Sequence, residues 1–171
     1  MRKVISNSTP LIILGNIDKL FILKELYKEI IIPKAVFDEL TAKEDESKQQ
    51  IIQNLDWIKV LEVKNIENRR MYQSKLHDGE VEVMILAQEI SADLLIIDDN
   101  AAKKTAKFLG LTVTGTLGVL LKAKSQGIIS SVKTILDEML NQGFYVNDNI
   151  IKLVLKSANE IIFIKCSNLK H

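Results

Sequence analysis

The sequence has very little cysteine, proline and glycine for its length. Cys166 is the single cysteine among 171 residues, so the chain cannot form an internal disulfide. With only two histidines beside it, a zinc site of the usual Cys and His ligands is excluded as well. The two prolines and seven glycines do not gather into a linker. We therefore expect one domain at residues 1–160, followed by an apolar tail at 161–171.

Long apolar runs and an excess of one charge are also missing. The apolar runs, such as the one ending at Leu14, fall well short of the roughly 20 residues that span a bilayer. The N-terminus lacks the pattern of a signal peptide, so we expect a cytoplasmic protein without membrane contact. The 23 basic and 22 acidic residues leave a net charge of +1. Any nucleic-acid binding must therefore come from local patches.

The apolar pattern predicts strands and helices in alternation. Predicted strands lie at Arg2–Ser6, Glu29–Ile32, Trp57–Val63, Leu94–Ile97 and Leu111–Val113. Predicted helices lie within Leu11–Leu26, after Pro33, from Asp78 to Ile90 with one apolar stripe, at Ala101–Leu109, through Ala123, through Leu140, and at Asn147–Glu160. The polar stretch Lys43–Gln50 suits a solvated helix or loop, and Ile161–Ile164 an edge strand or a contact surface. This alternation predicts an α/β fold with a mainly parallel sheet flanked by helices.

Polar side chains follow the predicted strands where each strand ends. Asn7 follows the first strand, Asp98 and Asp99 follow the long buried one, and Thr114–Thr116 ends the last. Because the carboxyl ends of parallel strands share one edge of the sheet, we expect these groups to lie near one crevice.

Two glutamates on helices are placed to join this edge. Glu39 lies in the helix after Pro33, and Glu80 lies in the first turn of the helix after Gly79. Several carboxylates in one crevice repel each other unless a cation neutralises them, and oxygen ligands without His or Cys favour Mg²⁺ or Mn²⁺. Simpler explanations stay open at this point: Glu80 also suits the positive end of a helix dipole, Glu39 an exposed helix surface, and the aspartates a turn.

The chain resembles the PIN domains, most closely a prokaryotic PIN-like branch of unknown function. Five blocks carry the resemblance in the family's order: VISNSTPLI at Val4–Ile12, IIPKAVFDEL at Ile31–Leu40, LHDGEVEVMILA at Leu76–Ala87, LLIIDDNAAKKTA at Leu94–Ala106 and TGTLGVLLKAK at Thr114–Lys124. The resemblance covers nearly the whole chain and implies a PIN-like three-layer sandwich.

The resemblance also implies a function. PIN domains are typically Mg²⁺- or Mn²⁺-dependent nucleases, and many are the toxins of toxin–antitoxin pairs, so the implied substrate is RNA and the implied partners are a small antitoxin and further copies of the chain. It further implies metal-binding and catalytic roles for Glu39, Glu80, Asp98 and Asp99. Whether Glu80 ligates directly or through water stays open, as does the principal ligand among the two aspartates.

Asn7 departs from the family pattern, which places an aspartate at the end of the first strand. An asparagine still offers a carbonyl oxygen to a hard cation, but it supplies no charge. The resemblance is therefore compatible with a weakened nuclease, with a catalytically inactive module that binds RNA or an antitoxin, and with a variant altered here to make a toxic protein tolerable during expression.

Lysines and a threonine near the crevice are candidates for substrate binding. Lys103, Lys104 and Lys107 follow Asp99 on a predicted helix, where they either contact RNA phosphates or form a solvated face. Thr116 either positions a phosphate or water, or simply belongs to the turn before the next helix.

The chain lacks the motifs of two other functions that are found on similar sheets. No G-x-G-x-x-G follows the first strand, and no Walker motif occurs, which disfavours nucleotide or dinucleotide binding. A phosphatase with an aspartate nucleophile needs paired aspartates after its first strand, where this chain has Asn7.

Overall fold

The computed structural model describes residues 1–42, 51, 55–72 and 76–160. Its strands are β1 (Val4–Ser6), β2 (Ile30–Pro33), β3 (Ile58–Leu61), β4 (Leu94–Ile96) and β5 (Val113–Thr114). Its helices are α1 (Ser8–Asn16), α2 (Phe21–Tyr27), α3 (Lys34–Thr41), α4 (Asp78–Ile90), α5 (Asn100–Phe108), α6 (Thr116–Ser125), α7 (Val132–Asn141) and α8 (Asp148–Ser157), with a 3₁₀ helix at Ile66–Met71. The predictions for Lys43–Gln50 and for the tail at 161–171 lie outside the described residues.

The five described strands form one parallel sheet in the order β3–β2–β1–β4–β5. At its centre, Ile5 of β1 is in register with Ile31 of β2 and with Leu95 of β4. These residues are all buried, as expected for strands that are covered on both faces by helices. The predicted α/β fold with a central parallel sheet is therefore confirmed.

The strand order changes direction between β1 and β4. From β1 the chain builds outward through β2 and β3 on one side, and it later adds β4 and β5 on the other side. The carboxyl ends of β1 and β4 are joined by a hydrogen bond: the backbone N–H of Asn7 donates to the carbonyl of Ile96 at 3.0 Å. In parallel sheets, a crevice for ligands forms at such a point.

Helix α4 is more deeply buried than its apolar pattern predicts. We predicted one apolar stripe, but every residue from Gly79 to Ala87 is buried, including Glu80 and Glu82. The reason is that α4 packs against β1 and β2 as well as against α3 and the 3₁₀ helix. The prediction of a single stripe was therefore wrong.

The last strand begins later than predicted. Gly110 adopts a positive φ of 75°, and the N–H of Leu111 donates back to the carbonyl of Ala106 at 2.9 Å. Leu111 thus still belongs to the turn that ends α5, and β5 contains only Val113 and Thr114. Among the described residues, no helix is long and apolar enough to cross a membrane.

Candidate functional site

Asn7 lies at the crevice between β1 and β4. It is the N-cap residue of α1, and its Oδ1 accepts a hydrogen bond from the N–H of Ser8 at 2.8 Å. The residue is only 5% exposed. Because an amide oxygen has two lone pairs, Oδ1 keeps the capacity for one further partner. Asn7 therefore sits where sequence reasoning expected it, but as a neutral group.

Glu39 reaches this crevice from α3. Its Oε2 accepts a hydrogen bond from Oγ of Ser8 at 2.7 Å. On its other side is Gly79, the second residue of α4: a Cβ at that position would overlap Oε1 and lie 3.0 Å from Cδ of Glu39. The missing side chain of Gly79 thus makes room for the carboxylate between the first turns of α1 and α4.

Glu80 is the most deeply buried acid of the site, at 8% exposure. Its Oε2 accepts a hydrogen bond from the backbone N–H of His77 at 3.2 Å. Burial raises the pKa of Glu80; the His77 hydrogen bond and charge lower it, while the charges of Asp99 and Glu39 raise it further. Glu39 and Asp99 therefore both lie within electrostatic reach of Glu80, and we call these three acids the acidic cluster.

Asp98 holds the start of α6. Its Oδ1 accepts the backbone N–H of Thr116 at 2.8 Å, and its Oδ2 accepts the hydroxyl of Thr116 at 2.6 Å. Thr116 is fully buried, with 0% exposure. In this arrangement Thr116 acts on the site through Asp98.

Asp99 has a different environment from its neighbour. It is exposed and is the N-cap residue of α5, with Oδ1 accepting the N–H of Ala102 at 2.8 Å. Asp99, not Asp98, is the aspartate whose charge acts on Glu80. The two adjacent acids thus contact different helices.

Lys103 lies beside Asp98. Its Nζ is 2.8 Å, and Oδ1 of Asp98 is 2.9 Å, from the position that a Cβ would occupy at Gly115. Lys104 and Lys107 lie further along α5 and are exposed. The structure therefore brings one of the three candidate lysines to the crevice and leaves the other two on the outer surface of the helix.

Sequence reasoning missed three residues that support the site. Ser8 and Gly79 position Glu39, and both stood beside residues already singled out, Asn7 and Glu80. Glu82 gave no signal. It is 3% exposed, pairs with Arg69 of the 3₁₀ helix, and accepts the N–H of Ala35 at 2.8 Å, which joins α4 to the start of α3.

The donor atoms of the site are of the type that a hard divalent cation prefers, but the distances between them do not suit one. They are carboxylate and amide oxygens, which Mg²⁺ and Mn²⁺ prefer. Within the described part of the chain, however, no three His, Cys, Asp or Glu side chains come close enough together to hold a metal ion. Hydrogen bonds to Ser8 and His77 hold the Glu39 and Glu80 carboxylates in place.

Comparison with known proteins gives a family for nearly the whole chain. A family model described as a PIN domain matches residues 3–160. The matched segment contains all five described strands and every residue of the candidate site. A search of curated proteins finds no match.

Proposed function

We propose that this chain, which belongs to the PIN-domain family, is a ribonuclease that depends on Mg²⁺ or Mn²⁺. The family has a nuclease-type fold, and its members generally use divalent metals. We assign the metal site to Asn7, Glu39, Glu80, Asp98 and Asp99 of this chain.

The observation that carries the proposal is the acidic cluster of Glu39, Glu80 and Asp99. Glu80 is held in a buried position where two like charges raise its pKa further. Repulsion between like charges destabilises a fold, and a cation bound between them replaces the repulsion with attraction. A buried acid with a raised pKa, in a crevice at a change of strand order, is typical of a functional site.

The residues of the site have different roles in this proposal. Glu39, Glu80 and Asp99 supply the charge that attracts the ion, while Thr116 holds the Asp98 carboxylate in one orientation. Lys103, and Lys104 beyond it, contact the RNA phosphates. When bound, a divalent ion makes water a better nucleophile and offsets the charge that develops on the phosphate.

Asn7 limits this activity. It contributes an oxygen without a charge, and ligand charge is one of the quantities that set the affinity for hard cations. We therefore expect the ion to bind weakly and the chain to cut RNA slowly.

A biological role as the toxin of a toxin–antitoxin pair is the most specific part of the proposal. Its support is the family resemblance, together with exposed apolar side chains that a protein partner or a second copy can cover. Tyr145 is exposed, and Ile150 and Leu153 lie three residues apart on α8, also exposed. The test of this role is to look for a small neighbouring gene and to measure whether its product binds this chain and suppresses its activity.

Calorimetric titration with Mn²⁺ tests the metal site. We expect binding to the original protein and loss of the binding heat when Asp98 and Asp99 are both replaced by asparagine. The matched control replaces Asp137 and Asp148, which lie on α7 and α8, with asparagine and removes the same charge. Equal Mn²⁺ binding by all three proteins would show that the site assignment is wrong.

One alternative has its own support. A catalytically inactive module that binds RNA or an antitoxin fits the neutral Asn7 and the lack of a ready group of three ligands in the described part of the chain. RNA binding without any cleavage at millimolar Mn²⁺, with the metal demonstrably bound, would favour this alternative.

A further inference from the structure

The outer surface of α5 combines positive charge with an exposed aromatic ring. The helix contains Lys103, Lys104 and Lys107 and no acidic residue, and it ends at Phe108, which is 91% exposed. None of the three lysines forms an ion pair within the described residues. This concentration of charge is unusual in a chain whose net charge is only +1.

The spacing of these residues gives them a common surface. Residues four apart are neighbours on a helix, so Lys103 lies next to Lys107, and Lys104 lies next to Phe108. The opposite side of α5 carries Ala102 and Ala106, both fully buried. We call four side chains the α5 strip: Lys103, at the crevice, and Lys104, Lys107 and Phe108, on the outer surface.

The α5 strip begins at the candidate active site. Asp99 caps the first turn of α5, and Lys103 Nζ lies beside Asp98. Because α5 has nine residues, the α5 strip extends to about 13 Å from that point. A nucleic-acid strand that enters the crevice reaches Phe108 within a few nucleotides.

Phe108 is the most exposed phenylalanine among the described residues. Of the other phenylalanines among the described residues, Phe37 and Phe144 pack against the core and Phe21 is about half exposed. The bases of an unpaired nucleic-acid strand can stack on an aromatic ring, and its phosphates bind cations. An aromatic ring beside lysines therefore suits such a strand.

We propose that the α5 strip binds the single-stranded part of the RNA substrate next to the cut, with a base stacked on Phe108 and phosphates on the lysines. This inference rests on the proposed ribonuclease function and adds where the substrate lies and that it is unpaired there. Duplex RNA fits poorly, because its bases are already stacked and cannot cover the ring.

Fluorescence anisotropy with a labelled unstructured oligoribonucleotide in EDTA tests the proposal without cleavage. Replacing Phe108 with alanine should weaken binding on the order of tenfold, while Phe108→Trp should retain it. Replacing Lys104 and Lys107 with glutamine should weaken binding and reduce the slope of log K against log salt by about 0.7 per lysine. Because these side chains lie on the surface, circular dichroism should show intact folds.

Matched controls separate the strip from general effects. Replacing Lys152 and Lys156 on α8 with glutamine removes the same charge elsewhere, and Phe21→Ala removes another partly exposed ring. Both controls should bind RNA almost as the original protein does. A duplex of the same sequence should bind less tightly and should not respond to Phe108→Ala.

Each outcome has one meaning. If the original protein and the α5 variants bind the oligoribonucleotide equally well, the α5 strip is not the RNA-binding surface, while an RNA-directed function stands. If Phe108→Ala weakens duplex and single strand alike, stacking on an unpaired base is wrong. If the original protein binds no RNA at all, the proposed ribonuclease function fails, and the strip fails with it.

Discussion

Gly79 and Glu39 are in such close contact across the α3–α4 interface that a side chain at position 79 would overlap the carboxylate of Glu39 where it now lies. A Cβ at position 79 would lie 3.2 Å from Oε2 of Glu39 and would overlap its Oε1. The glycine is in the first turn of a helix, where its conformation is not unusual, so the close approach alone accounts for it. A backbone position thereby determines where a carboxylate of the candidate site can lie.

The first prediction is that Gly79→Ala lowers Mn²⁺ affinity without unfolding the protein. The added methyl group displaces the flexible end of Glu39, while alanine favours the helix by up to about 1 kcal/mol over glycine. Calorimetry and thermal unfolding measure the two effects. Adding Glu39→Gln to Gly79→Ala should cause little further loss of affinity, since both changes act on one ligand. Fully additive losses would contradict this coupling.

The second prediction compares two buried glutamates on α4. Glu80→Gln should stabilise the metal-free protein near neutral pH, since the pKa of Glu80 is raised and the ionised form is disfavoured in the fold. Glu82→Gln should destabilise it by roughly 2 kcal/mol, because it breaks the ion pair with Arg69. Urea unfolding in EDTA distinguishes them. A loss of stability in Glu80→Gln equal to that in Glu82→Gln would mean that Glu80 is a structural residue.

The third prediction separates the adjacent aspartates. Asp98→Asn should destabilise the fold by about 1 to 3 kcal/mol, because it weakens two hydrogen bonds to the buried Thr116. Asp99→Asn should leave stability nearly unchanged, since asparagine is an equally good N-cap residue, yet it should still weaken Mn²⁺ binding. Thermal unfolding and calorimetry on both variants test this. A stable Asp98→Asn protein would show that its contacts with Thr116 contribute little.

The parts of the fold that follow from local pattern were predictable. The apolar runs of β1, β2 and β4 identify strands buried on both faces, and Asn7 and Asp99 are recognisable where a strand gives way to a helix. The positions of Glu39 and Glu80 on their helices suggested that they could join the same sheet edge, and the family resemblance implied their roles there.

The rest depends on contacts between distant parts of the chain. Glu82 reads as a solvated helix residue, and only the position of Arg69 and of α3 explains its burial. In the same way, the pairing of Asp98 with Thr116 joins residues that no periodic pattern relates, so the sequence could not show how differently the two aspartates are engaged. The strand order, and with it the crevice between β1 and β4, also required the structure.

The fourth prediction concerns acid stability at the C-terminal end of the described chain. Burial opposes ionisation of Glu160, but hydrogen bonds from Ser131, Lys124 and the first turn of α7 lower its pKa to about 2. The ionised form therefore stabilises the fold above pH 4.5, the ordinary value, by on the order of 3 kcal/mol, and this contribution is lost as the pH falls towards 2.

Urea unfolding of the original protein and of Glu160→Gln at several pH values tests this dependence. The difference in the free energy of unfolding between the two proteins should be largest at pH 7 and should shrink as the pH falls below 4.5. A difference that does not change with pH would show that the charge of Glu160 is not what joins α8 to α7.

The fifth prediction, Asn7→Asp, tests the central claim most directly. Asparagine and aspartate are comparable N-cap residues, so the variant should fold normally while gaining one ligand charge at the crevice between β1 and β4. The measurement is cleavage of a labelled RNA at millimolar Mn²⁺, with the Mn²⁺ dissociation constant of the same samples. We predict tighter Mn²⁺ binding and faster cleavage by Asn7→Asp than by the original chain, whose cleavage is weak or absent. Metal bound by both proteins with no RNA cut by either would contradict the account and leave a binding module in place of the nuclease.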